Sequence, residues 1–217
     1  MKKYKVILFD VDGTLVESSV GVTLGVAHTL RRYGIEPPPC EELKKFIGPP
    51  LRESFRNFYG FEGEALSQVE YVFREYYDKK GINEMTLYPG IKSLLHDLKN
   101  AGAVVATASS KPYRHVKRVL ENFGIAQYFD YVGAADHERG IVEKEDVLQE
   151  LLSNTGYAPS ECLLVGDRLY DIVGAHKFGI DCAGVLYGFG SRSELEEYGA
   201  DYIISSVEEL REFLFAL

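Results

Sequence analysis

The sequence predicts an α/β fold: a Rossmann-like, doubly wound parallel sheet with an inserted all-helical cap domain. Three observations predict it. Short, continuous apolar runs recur along the chain, and several end in acids or glycine. Such runs are what strands buried on both faces look like. Stretches with helical spacing of apolar residues separate them, and this alternation is the signature of a parallel sheet. Between residues 16 and 88 the alternation stops, and only helical patterns remain.

Val6-Ile7-Leu8-Phe9 is the first run, and Asp10 ends it. Val104 to Ala108 is the second, preceded by a helical pattern over 91–101, with Gly102 where a C-capping glycine belongs. Tyr131-Val132-Gly133 is a third and weaker run. Cys162 to Val165 is a fourth, followed by Gly166-Asp167. Asp181 to Leu186 and Tyr202 to Ile204 complete six candidate strands. Helical patterns cover 114–123, 144–153, 171–178 and 207–214. Inside the insertion, helices are expected over 20–33, 51–59 and 64–79, the second opening after Pro49-Pro50. The domain reading is a core of 1–15 and 89–217 and a helical cap of 16–88.

The bulk properties restrict function. The 217 residues are enough to bury roughly 70% of the unfolded surface, so no disulfide or structural metal is required. A net charge of -9 opposes binding to nucleic acid and anionic membranes. The three cysteines, Cys40, Cys162 and Cys182, form no CxxC pair and read as idle thiols. The two lysines near the start resemble a signal peptide's charged region, but the apolar run after them is too short for one. The expectation is a cytoplasmic protein, a monomer or homodimer, with neither nucleic acid nor membrane as partner.

In parallel sheets, ligands bind beyond the carboxyl ends of the strands. Those ends deliver Asp10 with Asp12, Ser109 with Ser110, and Asp167, while Lys144 starts a nearby helix. Clustered carboxylates repel one another unless a divalent cation sits among them. Oxygen donors beside a phosphate favour magnesium. Asp171 fits either such a site or a helix cap. Hydroxyl and N–H groups at Ser109 and Ser110 suit phosphate oxygens. Lys144, flanked by Glu143 and Glu145, also fits an ordinary solvated helix face. The five histidines show no ligand spacing.

Asp10-Val11-Asp12-Gly13-Thr14-Leu15 resembles the first motif of the haloacid dehalogenase superfamily. Ser109 resembles the second-motif hydroxyl, Lys144 the third-motif lysine, and Gly166-Asp167 through Asp171 the fourth-motif acids. The insertion is similar to the cap of the phosphoglycolate phosphatase subgroup, as are Phe46 to Leu51 and Gly184 to Gly190. The resemblance implies a Mg2+-dependent phosphatase acting on a small phosphorylated metabolite. Asp10 would be the nucleophile, Asp12 the acid and base, and Ser109 and Lys144 the groups neutralising the phosphoryl oxygens. Asp10, Asp12 (through its backbone carbonyl), Asp167 and Asp171 would hold the metal. Gly13, Thr14, Ser110 and Arg52 are the candidate substrate contacts. Many relatives carry Thr-Asn where Ser109-Ser110 stands. The dehalogenase branch lacks an acid at the Asp12 position, which argues against dehalogenation. A β-phosphoglucomutase-like phosphotransferase shares every core motif. A receiver-like phosphoacceptor or a binding protein on this fold are readings of another class, though receiver domains are shorter and lack the insertion.

Overall fold

The computed structural model describes residues 3–216. Its elements run β1 (Val6–Phe9), β2 (Val16–Glu17), α1 (Ser19–Arg32), α2 (Cys40–Leu43), α3 (Leu51–Tyr59), α4 (Gly63–Lys79), β3 (Thr86–Leu87) and α5 (Ile91–Asn100). They continue with β4 (Val104–Pro112), α6 (Tyr113–Asn122), β5 (Tyr131–Ala135), α7 (Lys144–Thr155), β6 (Cys162–Gly166), α8 (Leu169–Lys177), β7 (Asp181–Val185), α9 (Arg192–Glu197), β8 (Tyr202–Ile204) and α10 (Val207–Ala216).

Six strands form one sheet in the order β5-β4-β1-β6-β7-β8, and every pairing in it is parallel. All four residues of β1 are buried, as a strand covered on both faces requires. Val6 and Leu8 join Ala106, Ala108, Cys162, Leu164 and Cys182 in a core with Val147, Leu148 and Leu151 of α7 and Ile172 and Ala175 of α8. Alternation along the strand turns Ile7 and Phe9 to the opposite face. Each such side chain contributes about 1.5–3 kcal/mol on burial. From β1 the chain builds the sheet outward through β4 to β5, then returns to β6 and builds the other way. The reversal lies beside β1, and the carboxyl ends of β4, β1 and β6 open there together.

The described residues divide into two compact units, one holding residues up to Val16 and from Leu87, the other Glu17–Thr86. The segment expected to show only helical patterns begins and ends on short strands, β2 and β3, which pair with each other. Inside this unit α1 packs on α4 at close range. A Cβ on Gly25 would stand 2.9 Å from the Phe73 ring, so the helices meet where α1 has no side chain. Phe46, Phe55 and Phe73 form its aromatic centre, with ring centroids 5.0 Å and 6.4 Å apart in sequence. Among the described residues no helix is long and apolar enough to cross a membrane. The three cysteines are unpaired, Cys40 exposed and the other two buried.

Candidate active site

β1 ends at Phe9, so Asp10 is the first residue past a strand held on both sides. Its N–H donates to the Val165 carbonyl at 2.9 Å, which continues the ladder and fixes the backbone. Asp167 is likewise the first residue past its strand, β6. Asp171 sits in the first turn of α8, where its Oδ2 accepts from the Arg168 N–H at 3.1 Å. It is therefore a cap and a member of the acidic cluster at once. Asp10, Asp167 and Asp171 each offer a carboxylate oxygen within 4.8 Å of the others.

Lys144 is the cation among them. Its side chain is only 5% exposed. Its Nζ donates to Asp10 Oδ1 at 2.8 Å, to Asp171 Oδ1 at 2.7 Å and to the Ala108 carbonyl at 2.6 Å. The start of α7 aims it. Asp146 Oδ2 accepts from the Val142 and Glu143 N–H groups, each at 3.0 Å, and this box pins the first turn that carries Lys144. Burial works against the charged ammonium, but Asp10 and Asp171 outweigh it and hold the pKa above the usual lysine range. Burial pushes Asp10 up to about 6 against the pull of Lys144. Burial, with Asp171 and Asp10 nearby, pushes Asp167 well above the carboxylate range.

Asp167 is wholly buried. Its Oδ2 accepts from the Phe189 N–H at 2.7 Å, while its Oδ1 has no hydrogen-bond partner among the described residues. A buried carboxylate oxygen without a donor is costly in a protein interior. A cation that prefers oxygen ligands would satisfy it, and the donor set here is entirely carboxylate. The site therefore fits Mg2+. Glycines bring the chain this close. A Cβ on Gly13, whose φ is +83°, would lie 2.1 Å from Asp167 Oδ2, and one on Gly188 would lie 2.4 Å from Asp167 Cβ.

The candidate residues separate into two groups. Asp10, Lys144, Asp167 and Asp171 meet directly. Ser109 is buried at the end of the regular part of β4. Ser110 follows half-buried. The Thr14 hydroxyl is buried and has no hydrogen-bond partner among the described residues. The Asp12 carboxylate is not part of the three-acid cluster but pairs with Lys111, at 2.8 Å and 2.9 Å from its two oxygens. Arg52 stays within the helical unit. Its Nη1 lies 3.2 Å from Glu70 Oε2 and 3.3 Å from Ser67 Oγ, so it already has an anionic partner. Sequence reasoning missed Lys111 and Gly188. The signal for Lys111 was its place two residues beyond Ser109, directly before Pro112.

A family model described as haloacid dehalogenase-like hydrolase matches residues 7–185. The chain belongs to this family. Similar proteins carry several names. The hydrolase is 34% identical over 98% of its length to a 5'-nucleotidase of Pseudomonas aeruginosa, covering 96% of that protein. It is 32% identical over 97% of its length to the tyrosine-protein kinase PtkA of Mycobacterium tuberculosis, covering 72% of that chain. Among solved structures, a predicted phosphatase from Clostridium acetobutylicum superposes with a TM-score of 0.95 at 38% identity, over 100% of both chains. The parallel sheet with its flanking helices is the family's fold.

Proposed function

We propose that this hydrolase is a Mg2+-dependent phosphatase that cleaves a small phosphate monoester, of the phosphoglycolate or nucleoside monophosphate kind, through an aspartyl-phosphate on Asp10. The supporting observation is the position of Asp10 at the end of β1. It lies against Lys144, within 4.8 Å of Asp167 and Asp171, and beside the orphaned Asp167 oxygen.

An Asp10 oxygen bonds to phosphorus as the ester oxygen leaves, and Asp12 gives that oxygen its proton. Water then bonds to phosphorus, Asp10 leaves as a carboxylate, and Asp12 takes the water's proton. Inorganic phosphate and the free enzyme result. Lys144 and the Ser109 hydroxyl offset negative charge on the phosphoryl oxygens, and Gly13 and Thr14 after β1, with Ser110 in β4, would receive them. Asp10, Asp167 and Asp171 would hold Mg2+, with Asp12 contributing only its backbone carbonyl. When bound, the ion supplies positive charge for the phosphoryl group and the acids around it.

Turnover of a phosphometabolite panel should vanish in EDTA and return with added Mg2+. Full activity after exhaustive chelation would exclude the metal. Arg52 has a separate test. If it selects substrate, Arg52→Ala raises KM on the preferred ester and leaves a generic ester such as p-nitrophenyl phosphate unaffected. Unchanged kinetics on both would leave Arg52 as a partner of Glu70 and nothing more.

A further inference from the structure

We propose that Lys111 is a positioning residue for the proton-transfer carboxylate of Asp12, brought to it by a two-residue bulge in β4. The proposal rests on the reading of Asp12 as the acid and base given above.

β4 and β5 stay in register as far as Ser109 opposite Ala134, and the next pair is Pro112 opposite Ala135. Ser110 and Lys111 are therefore extra residues on the β4 side. Bulges bend a strand and redirect its side chains, and they concentrate beside active sites. Here the Lys111 N–H donates back to Ser109 Oγ at 3.3 Å, which closes the bulge on the hydroxyl expected to bind phosphate. The lysine side chain is only 6% exposed, and its Nζ reaches both oxygens of Asp12, at 2.9 Å and 2.8 Å.

A lysine on an exposed surface would contribute little to such a pair, because both side chains remain mobile and solvated. Lys111 is buried, and its ammonium holds both carboxylate oxygens, so rotation of the Asp12 head group is restrained. Each of the two buried lysines contacts acids of the site. Lys144 serves Asp10 and Asp171, and Lys111 serves Asp12.

The chemistry locates where Lys111 acts. In the first half-reaction the Asp10–phosphorus bond forms and the ester P–O bond breaks. The departing oxygen takes the Asp12 proton, which leaves Asp12 as an anion facing the Lys111 ammonium. Lys111 thus holds the Asp12 head group in place for that transfer. It matters only when the departing oxygen needs a proton. An alkoxide needs one, whereas p-nitrophenolate leaves as the anion.

The test is single-turnover release of the alcohol from a primary alkyl phosphate and from p-nitrophenyl phosphate, with enzyme in excess and Mg2+ present. Wild type, Lys111→Met and Lys111→Arg are compared. Lys111→Met should slow alkyl release by about 10- to 100-fold, a fraction of the roughly 100- to 10,000-fold that a general acid contributes, and change nitrophenolate release by less than about two-fold. Lys111→Arg, whose fork can also hold both carboxylate oxygens, should recover most of the alkyl rate. Equal losses on both esters would make Lys111 a phosphoryl-binding or folding residue and overturn the proposal. So would no loss on either, or an arginine variant as impaired as the methionine one. Acid-quenched wild type incubated with labelled substrate separates the two levels. No label on Asp10 removes the underlying reading. Label on Asp10 with an unchanged ester ratio in Lys111→Met removes only the role of Lys111.

Discussion

Asp10→Asn should lower turnover by about a thousand-fold or more while the protein remains folded. The amide has almost the shape of the carboxylate, so the packing after β1 is kept, but it has no anionic oxygen to bond to phosphorus. Its effect on stability follows from the burial of the carboxyl. Burial raises the Asp10 carboxyl to about 6. A carboxyl whose folded pKa lies above its unfolded value destabilises the fold as pH rises through that interval. Removing the charge therefore relieves a cost above pH 6, although Lys144 loses one of its two carboxylate partners. The melting temperature in EDTA near pH 7.5 should be unchanged or higher. Near-normal turnover by highly purified Asp10→Asn would end the claim that Asp10 is the nucleophile, and a large fall in melting temperature would show that the carboxylate holds the fold together.

The second large effect belongs to Lys144. Lys144→Met keeps most of the side-chain volume but leaves buried carboxylates without the cation that faces Asp10 at 2.8 Å and Asp171 at 2.7 Å. Breaking a buried pair from one side costs about 3–5 kcal/mol, because the remaining charge is stranded. The melting temperature in EDTA should fall by about 6–20 °C, given roughly 2–4 °C per kcal/mol at this size. Added Mg2+ should raise it more than in the wild type, since the ion would then face acids that lack their lysine. Turnover should stay severely reduced even with Mg2+, because the charge that meets the phosphoryl oxygens is gone. A variant as stable as the wild type in EDTA would mean that these acids do not depend on Lys144.

The sequence made the sheet readable wherever burial alone decided the pattern. Val6–Phe9 has no polar residue, so nothing competes with a two-sided buried strand. The acids past β1 and β6 were readable for a related reason, since charged residues placed directly after such strands need a partner. Other features depended on contacts distant in sequence. Ser109-Ser110-Lys111-Pro112 has little strand propensity, yet pairing with β5 extends β4 to Pro112. Lys111 looked like part of a turn because its partner Asp12 is far away in the chain. Lys144 between two glutamates carried the pattern of a solvated face, and only the packing of α7 on the sheet buries it. α9 is six residues long and lacks periodicity, but Ser191 accepts from the Glu194 N–H at 3.1 Å, so its Ser-x-x-Glu start was an available capping signal. Gly188 is unremarkable until Asp167 is placed against it.

The position of β1 in the middle of the sheet has a consequence for synthesis. Val6 pairs with Val104 on one side and Cys162 on the other. At translation rates of about 5–20 residues per second, its second neighbour emerges roughly 8–30 seconds after β1 itself. Until β4 emerges both edges of this apolar strand are unpaired, and until β6 emerges one edge stays open, which is a template for pairing with another chain. Charged residues beside such segments discourage that association. Here they are Lys5 and Asp10. The carboxylate proposed to attack phosphorus in the finished enzyme is thus also one of the two charges that flank this segment in the newborn polypeptide.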